Sequence, residues 1–342
     1  MSYSNQEDDH FDRLPDAILL LIFNKLLDAK TSIRCLSVSK RFASLLPQID
    51  TIFLPLPRFL PDPKPRQGFP IKVLKVLVDK LITKPIQFLH HIVSSKPAAI
   101  NSNSSHFLYH SPTEVLKNFK EIKTLRLELP SLDCEMGLDG CDHSFLKWKA
   151  EFGEELKSCI ILGATSFQRQ EREEHEEEVL HQPFLTEEEL QPRIIWTISC
   201  LVSASMRHYL LKKIVGKLPM LQSVVITDAS KQGKLCMVEQ QLVELRNTMK
   251  FENSPERTPI PNLCMKLWYE PVMELPASGC VMKGLTLVLI KPASGVTERR
   301  ISEGDSFLGD FDGEDDEKAV FAEAMREIVK RKMAFMMEMS SF

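Results

Sequence analysis

The stretch RLPDAILLLIFNKLLDAK, residues 13–30, decides how the rest of the chain is read. It patterns as a helix, yet Ala17 to Phe23 is an unbroken apolar run, more than one core-facing stripe requires. Pro15 suits the first helical turn, where its missing amide proton would have no partner anyway. At roughly 100° per residue, Ile18, Ile22, Leu26, Leu19, Phe23, Leu27 and Leu20 fill an arc of about 200°, twice the usual width. Asn24 and Lys25 are left to face water. Asp28 is placed to cap a second helix over AKTSIRCLSV, with Ile33 and Leu36 turned back on the first. Ser39 is placed to cap a third, KRFASLL, presenting Phe42 and Leu45. Three short helices shelter about half of the arc, and soluble proteins usually reserve such an exposed apolar remainder for a partner.

The whole chain narrows the partner. Its 342 residues suffice for a large core and for more than one domain. A net charge of −4 gives no general attraction to nucleic acid or acidic membranes, so neither is expected as a partner. Eight cysteines, scattered without a CxxC pair, read as reduced thiols of a nuclear or cytoplasmic protein. The acidic start SNQEDDHFD is unlike the basic opening of a signal peptide. Asn24 and Lys25 interrupt the apolar run too early for a spanning helix, and Ile194 to Met206 is too short for one. A soluble protein is expected.

Composition divides the chain into a disordered tail at 1–9, a helical module at 10–54, a proline-rich linker at 55–72 and a large domain at 73–342. PLPRFLPDPKPRQGFP holds six prolines in residues 55–70 and reads as a semi-rigid spacer. Helices are expected at 73–93, 112–119, 144–154, 193–213 and 237–249, with a closing helix at 319–339. Acidic insertions at 168–192 and 302–318 read as solvated and self-repelling.

Four segments of the large domain resemble one another: EIKTLRLEL (121–129), ELKSCIILG (155–163), MLQSVVITD (220–228) and VMKGLTLVL (281–289). Leu125, Cys159, Val224 and Leu285 align at the fifth position, and the fifth and seventh positions share one face of a strand. The class is α/β. Helices feeding such strands predict an irregular β/α solenoid, although an ordinary α/β sheet also gives strands that look alike.

The helical module carries a resemblance. FDRLPDAILLLIFNKLLDAKTSIRCLSVSKRFASL resembles the F-box, with Leu14 and Pro15 at its start, Ile18, Leu19, Ile22, Phe23 and Leu26 in the apolar helix, the break at Asp28, Leu36, and VSKRF from Val38 to Phe42. Ser39 and Phe42 stand where many F-boxes have Cys and Trp. Beyond it, KPIQFLHHIV, HSPTEVLKNFKEIKTLRLELPS, LKWKAEFGEELKSCIILGATSF and GKLCMVEQQLVEL resemble the plant F-box proteins of the auxin-up-regulated group. The large domain then looks like the degenerate leucine-rich-repeat domains of many F-box proteins. The resemblance implies docking on the Skp-type adaptor of a cullin–RING ubiquitin ligase, with Leu14, Pro15, Ile18, Leu19, Ile22 and Val38 at or near the contact. It implies a non-catalytic subunit that holds a target protein for ubiquitination; an F-box scaffold acting with the adaptor outside any ligase is the alternative.

Chemical motifs point the same way. No Walker loop, dinucleotide glycine pattern, HExxH or GxSxG occurs, and SVSK at 37–40 falls inside the F-box-like stretch. Cys134, Cys141 and His143 lack a usual zinc spacing and an evident fourth ligand, so they read as loop residues. His90 and His91 read as flanking a helix face. No cofactor or metal is expected.

Overall fold

Two side chains cut the opening run into separate helices. Asp28 accepts hydrogen bonds from the Thr31 amide at 2.8 Å and the Thr31 hydroxyl at 2.6 Å, capping helix α2 (Ala29–Leu36). Ser39 Oγ accepts from the Phe42 amide at 3.1 Å and caps α3 (Lys40–Leu45). Before them α1 spans Asp16–Leu26 and ends at Leu27, whose φ of 54° turns the chain sharply. Phe42 meets Phe23 edge to face at 5.0 Å, closing the expected three-helix unit. The computed structural model describes residues 11, 13–56, 115–130, 145–169, 185–249, 258, 260–293, 311 and 315–340.

The unit continues directly into a strand. TIFLP forms strand β1 (Thr51–Pro55), burying Ile52 and Leu54 on one face at period two. Its backbone needs a ladder partner. It finds one in β2 (Thr124–Leu129), parallel, with Ile52 opposite Leu125 and Leu54 opposite Leu127. Leu19, Phe23, Leu46 and Ile52 therefore share one hydrophobic core with Leu125 and Leu127. The expected boundary at residue 55 is thus corrected: Pro55 ends a strand and Leu56 is buried, while 57–72 lies outside the described residues.

The remaining strands are β3 (Phe145–Phe152), β4 (Leu156–Ala164), β5 (Ser166–Arg169), β6 (Ser223–Asp228), β7 (Gly233–Val238), β8 (Leu263–Leu275), β9 (Cys280–Pro292) and β10 (Phe335–Met339). Among the described residues they form one ten-stranded sheet in the order β1-β2-β6-β7-β3-β4-β9-β8-β10, with β5 paired to β9. Helices α4 (Glu187–Val215), α5 (Glu239–Met249) and α6 (Asp315–Val329) complete the fold. Cys159 and Ile161 of β4 face a core shared with Leu201, Leu211 and Ile214 of α4. Ile160 and Leu162 face the opposite core, with Phe321, Met325 and Ile328 of α6.

Among the described residues this is a mixed sheet rather than the expected solenoid. The first and third repeat segments become β2 and β6, adjacent and parallel, with Leu125 opposite Val224 as their alignment suggests. The second and fourth become β4 and β9, which run antiparallel with Cys159 opposite Ile290. A leucine-rich stack requires every repeat strand to run the same way, so half of the likeness reflects shared burial alone.

Other expectations are revised. The helix placed at 144–154 is strand β3, since FLKWKAEF buries Leu146, Trp148, Ala150 and Phe152 at period two. The acidic insertion at 168–192 is shorter than expected: Arg169 ends β5, and the Thr186–Glu189 capping box opens α4 at Glu187. Three glutamates in the first turn of α4 complement its positive end. The expected closing helix at 319–339 is α6 followed by β10, and the second insertion yields its last residues to α6. Helix α4 is long and apolar enough to cross a membrane, but 67% of its most apolar window is buried within the fold.

Candidate functional site

Helix α1 turns one face inward and another outward. Leu19 (0% exposed) and Phe23 (3%) belong to the core. A burial of that kind contributes about 1.5–3 kcal/mol per side chain. Ile18, Leu21 and Leu26 face outward at 45%, 57% and 38% exposure, and Val38, in the link between α2 and α3, stands at 67%. Of the six expected contact residues, Pro15, Ile18 and Val38 are exposed, Leu14 and Ile22 are half-buried, and Leu19 is buried. Its side chain is spent on the internal core. Sequence reasoning missed Leu21 and Phe11 (49% exposed), although Leu21 lies within the quoted run, roughly 60° from Ile18 on a helix.

The geometry behind this face is held by polar groups. Asn24, expected to face water, is half-buried; its Oδ1 accepts from the Asp50 amide at 3.0 Å and fixes the approach to β1. The Leu27 carbonyl accepts from the Phe53 amide at 2.7 Å. The far end of α1 is therefore pinned to β1, the end strand of the sheet among the described residues.

Elsewhere the buried polar groups brace the fold. Arg207 pairs with Asp228 at 2.6 Å and lies over the Trp148 ring at 4.4 Å. Burial alone would raise the Asp228 pKa, but Arg207 and hydrogen bonds from Ser230 and Gln232 outweigh it and hold the carboxyl below its usual range. His208 is fully buried between the Gly153 carbonyl (3.0 Å) and the Thr258 hydroxyl (2.9 Å), and burial pushes its pKa down to about 3. Arg193 donates to Thr286 Oγ1 at 2.8 Å and lies over Tyr269 at 4.4 Å. These are helix-to-sheet braces rather than a reacting constellation. Among the described residues no cluster of His, Cys, Asp or Glu is arranged to hold a metal. Cys134, Cys141, His143, His90 and His91 lie outside the described residues.

Comparison with known proteins shows which family this arrangement belongs to. Residues 11–49, α1 to α3 with their flanks, match the F-box-like family. "F-box protein At4g18380" of Arabidopsis thaliana is 38% identical over 376 residues, spanning 98% of this chain and 95% of the relative. This chain belongs to the F-box proteins. "F-box protein AUF2" and "F-box protein AUF1" of the same plant are 32% and 30% identical, each covering 98% of this chain and 100% of their own length, which puts the chain with the auxin-up-regulated group of F-box proteins. No solved structure matches it. F-box domains in general bind Skp-type adaptors, and F-box proteins are typically the non-catalytic, substrate-recognising subunits of SCF ligases.

Proposed function

We propose that this F-box protein is a substrate-recognition subunit of an SCF-type cullin–RING ubiquitin ligase. The observation that carries the reading is the outward apolar face of α1 and Val38, set within the F-box match. Leu14, Pro15, Ile18, Ile22 and Val38, joined by Leu21, form the adaptor contact. Apolar burial supplies most of its affinity and the polar rim its register. The sheet domain holds the target protein. Ubiquitin transfer is then a matter of proximity, a target lysine meeting a high effective concentration of the loaded enzyme. Because β1 is a strand of that sheet, target and adaptor are held at one fixed spacing. The described cysteines are free thiols, which suits the reducing nucleus or cytoplasm in which such a ligase works.

Reconstitution tests this reading. The full chain, mixed with a Skp-type adaptor and a cullin–RING core, is expected to elute as one stoichiometric complex on size exclusion. Elution with the adaptor while the cullin runs apart would leave the scaffold reading, and elution free of both would remove the adaptor assignment.

A further inference from the structure

We infer that Arg41 is a positioning residue for the adaptor contact, acting through the Leu14–Pro15 segment; the inference rests on the adaptor reading above. Arg41 lies in the first turn of α3 and bonds the N-terminal end of α1, whereas the C-terminal end of α1 is the one pinned to the sheet. Its Nε and Nη2 both reach Asp16 Oδ1, at 2.8 and 2.6 Å. Nη1 donates to the Phe11 carbonyl at 3.1 Å, and Nη2 also donates to the Leu14 carbonyl. One guanidinium therefore gathers the turn before α1 and the first residue of α1 itself.

The acceptors explain why arginine stands there. The Leu14 carbonyl precedes the helix ladder, whose first acceptor is the Pro15 carbonyl, bonded by the amides of Ile18 and Leu19. Pro15 offers no amide of its own to fix the turn. A planar five-donor fork reaches a carboxylate and two carbonyls at once; the point charge of a lysine does not. Val38 is three residues before Arg41, hence within about 10 Å of it along even an extended chain. Arg41 thus brings the two separate borders of the apolar face, Leu14–Pro15 and Val38, to one register. Its side chain is 30% exposed and that of Asp16 62%, so the ion pair adds little to global stability, and its consequence is local order.

A double-mutant cycle on the full chain, read as adaptor affinity by calorimetry with a purified Skp-type adaptor, tests this. Arg41→Lys is expected to weaken binding about tenfold, the scale of one lost set of charge-assisted hydrogen bonds, with the thermal midpoint unchanged. In a Leu14→Ala background the same substitution is expected to cost clearly less, because one of the two side chains it positions has already been removed. Asp16→Asn, which keeps both carbonyl acceptors, is expected to lose about threefold. Wild-type affinity in Arg41→Lys, or a tenfold loss repeated in full on Leu14→Ala, would overturn the positioning role. Failure of the unsubstituted chain to bind would remove the adaptor reading itself, and this inference with it.

Discussion

Leu19 and Leu21 are two residues apart and do opposite work. Leu19→Ala empties a fully buried site and is expected to cost about 2–5 kcal/mol of stability, seen as a lower denaturation midpoint. Leu21→Ala, at 57% exposure, is expected to leave that midpoint unchanged and to weaken adaptor binding instead. The run LLLIF gives no sign of which leucine is which, because the core-facing stripe is set by where α2, α3 and β1 close around α1. Asn24 reads as water-facing for the same reason, since its partner, the Asp50 amide, is distant in sequence. Asp28 and Ser39, by contrast, act on amides three residues away, and their capping roles were legible at once.

His208 carries a second residue-scale prediction. Folded, it stays neutral down to a pKa of about 3, against 6.5 for an ordinary histidine. As pH falls below 6.5 the unfolded chain takes up a proton that the folded chain refuses, so stability declines. The slope between pH 6 and 5 is expected to reach about 1.4 kcal/mol per pH unit. His208→Gln lowers stability at pH 7 but flattens that slope. Denaturant titrations at pH 7, 6 and 5 compare the two chains, and an equal slope in both would discard the prediction.

At the scale of elements, alternation and periodicity decided what could be read. α5 follows a clear helical pattern, and β2, β4, β6 and β9 follow their period-two repeat. FLKWKAEF, expected to be helical, is strand β3, in which Lys147, Lys149 and Glu151 alternate with Trp148 and Ala150. Its neighbours show what that spacing serves, as Trp148 covers Gly233 of β7 in the adjacent strand. A Cβ on Gly233 would lie 2.3 Å from the Trp148 ring and 2.5 Å from Arg207 Nη1. Gly233→Ala therefore has to push β7 from β3 or displace the buried Arg207–Asp228 pair. A loss of several kcal/mol, about 3 or more, is expected in denaturant unfolding. The strand directions that exclude a solenoid were not legible, since a strand's sequence records which faces are buried and not which way its neighbour runs.

At the scale of the molecule, the F-box helices and the large sheet share one core. A module reading from composition placed the boundary at the prolines, whereas the core passes across it through β1 and β2. The full chain is accordingly expected to lose its F-box helicity and its sheet in one transition, and a fragment of residues 1–56 to lack cooperative unfolding. Two separated transitions by circular dichroism and tryptophan fluorescence would show the modules to be independent; all three tryptophans lie in the sheet domain.

A single titration bears most directly on the outward face of α1. The full chain is titrated with a purified Skp-type adaptor, alongside a Leu21→Glu variant shown to melt at the same temperature. The expected result is a one-to-one complex whose affinity falls at least about a hundredfold in the variant, as a charge is forced into an apolar contact. Equal binding by both chains, or none by the unsubstituted one, would mean that this apolar face serves something other than the adaptor.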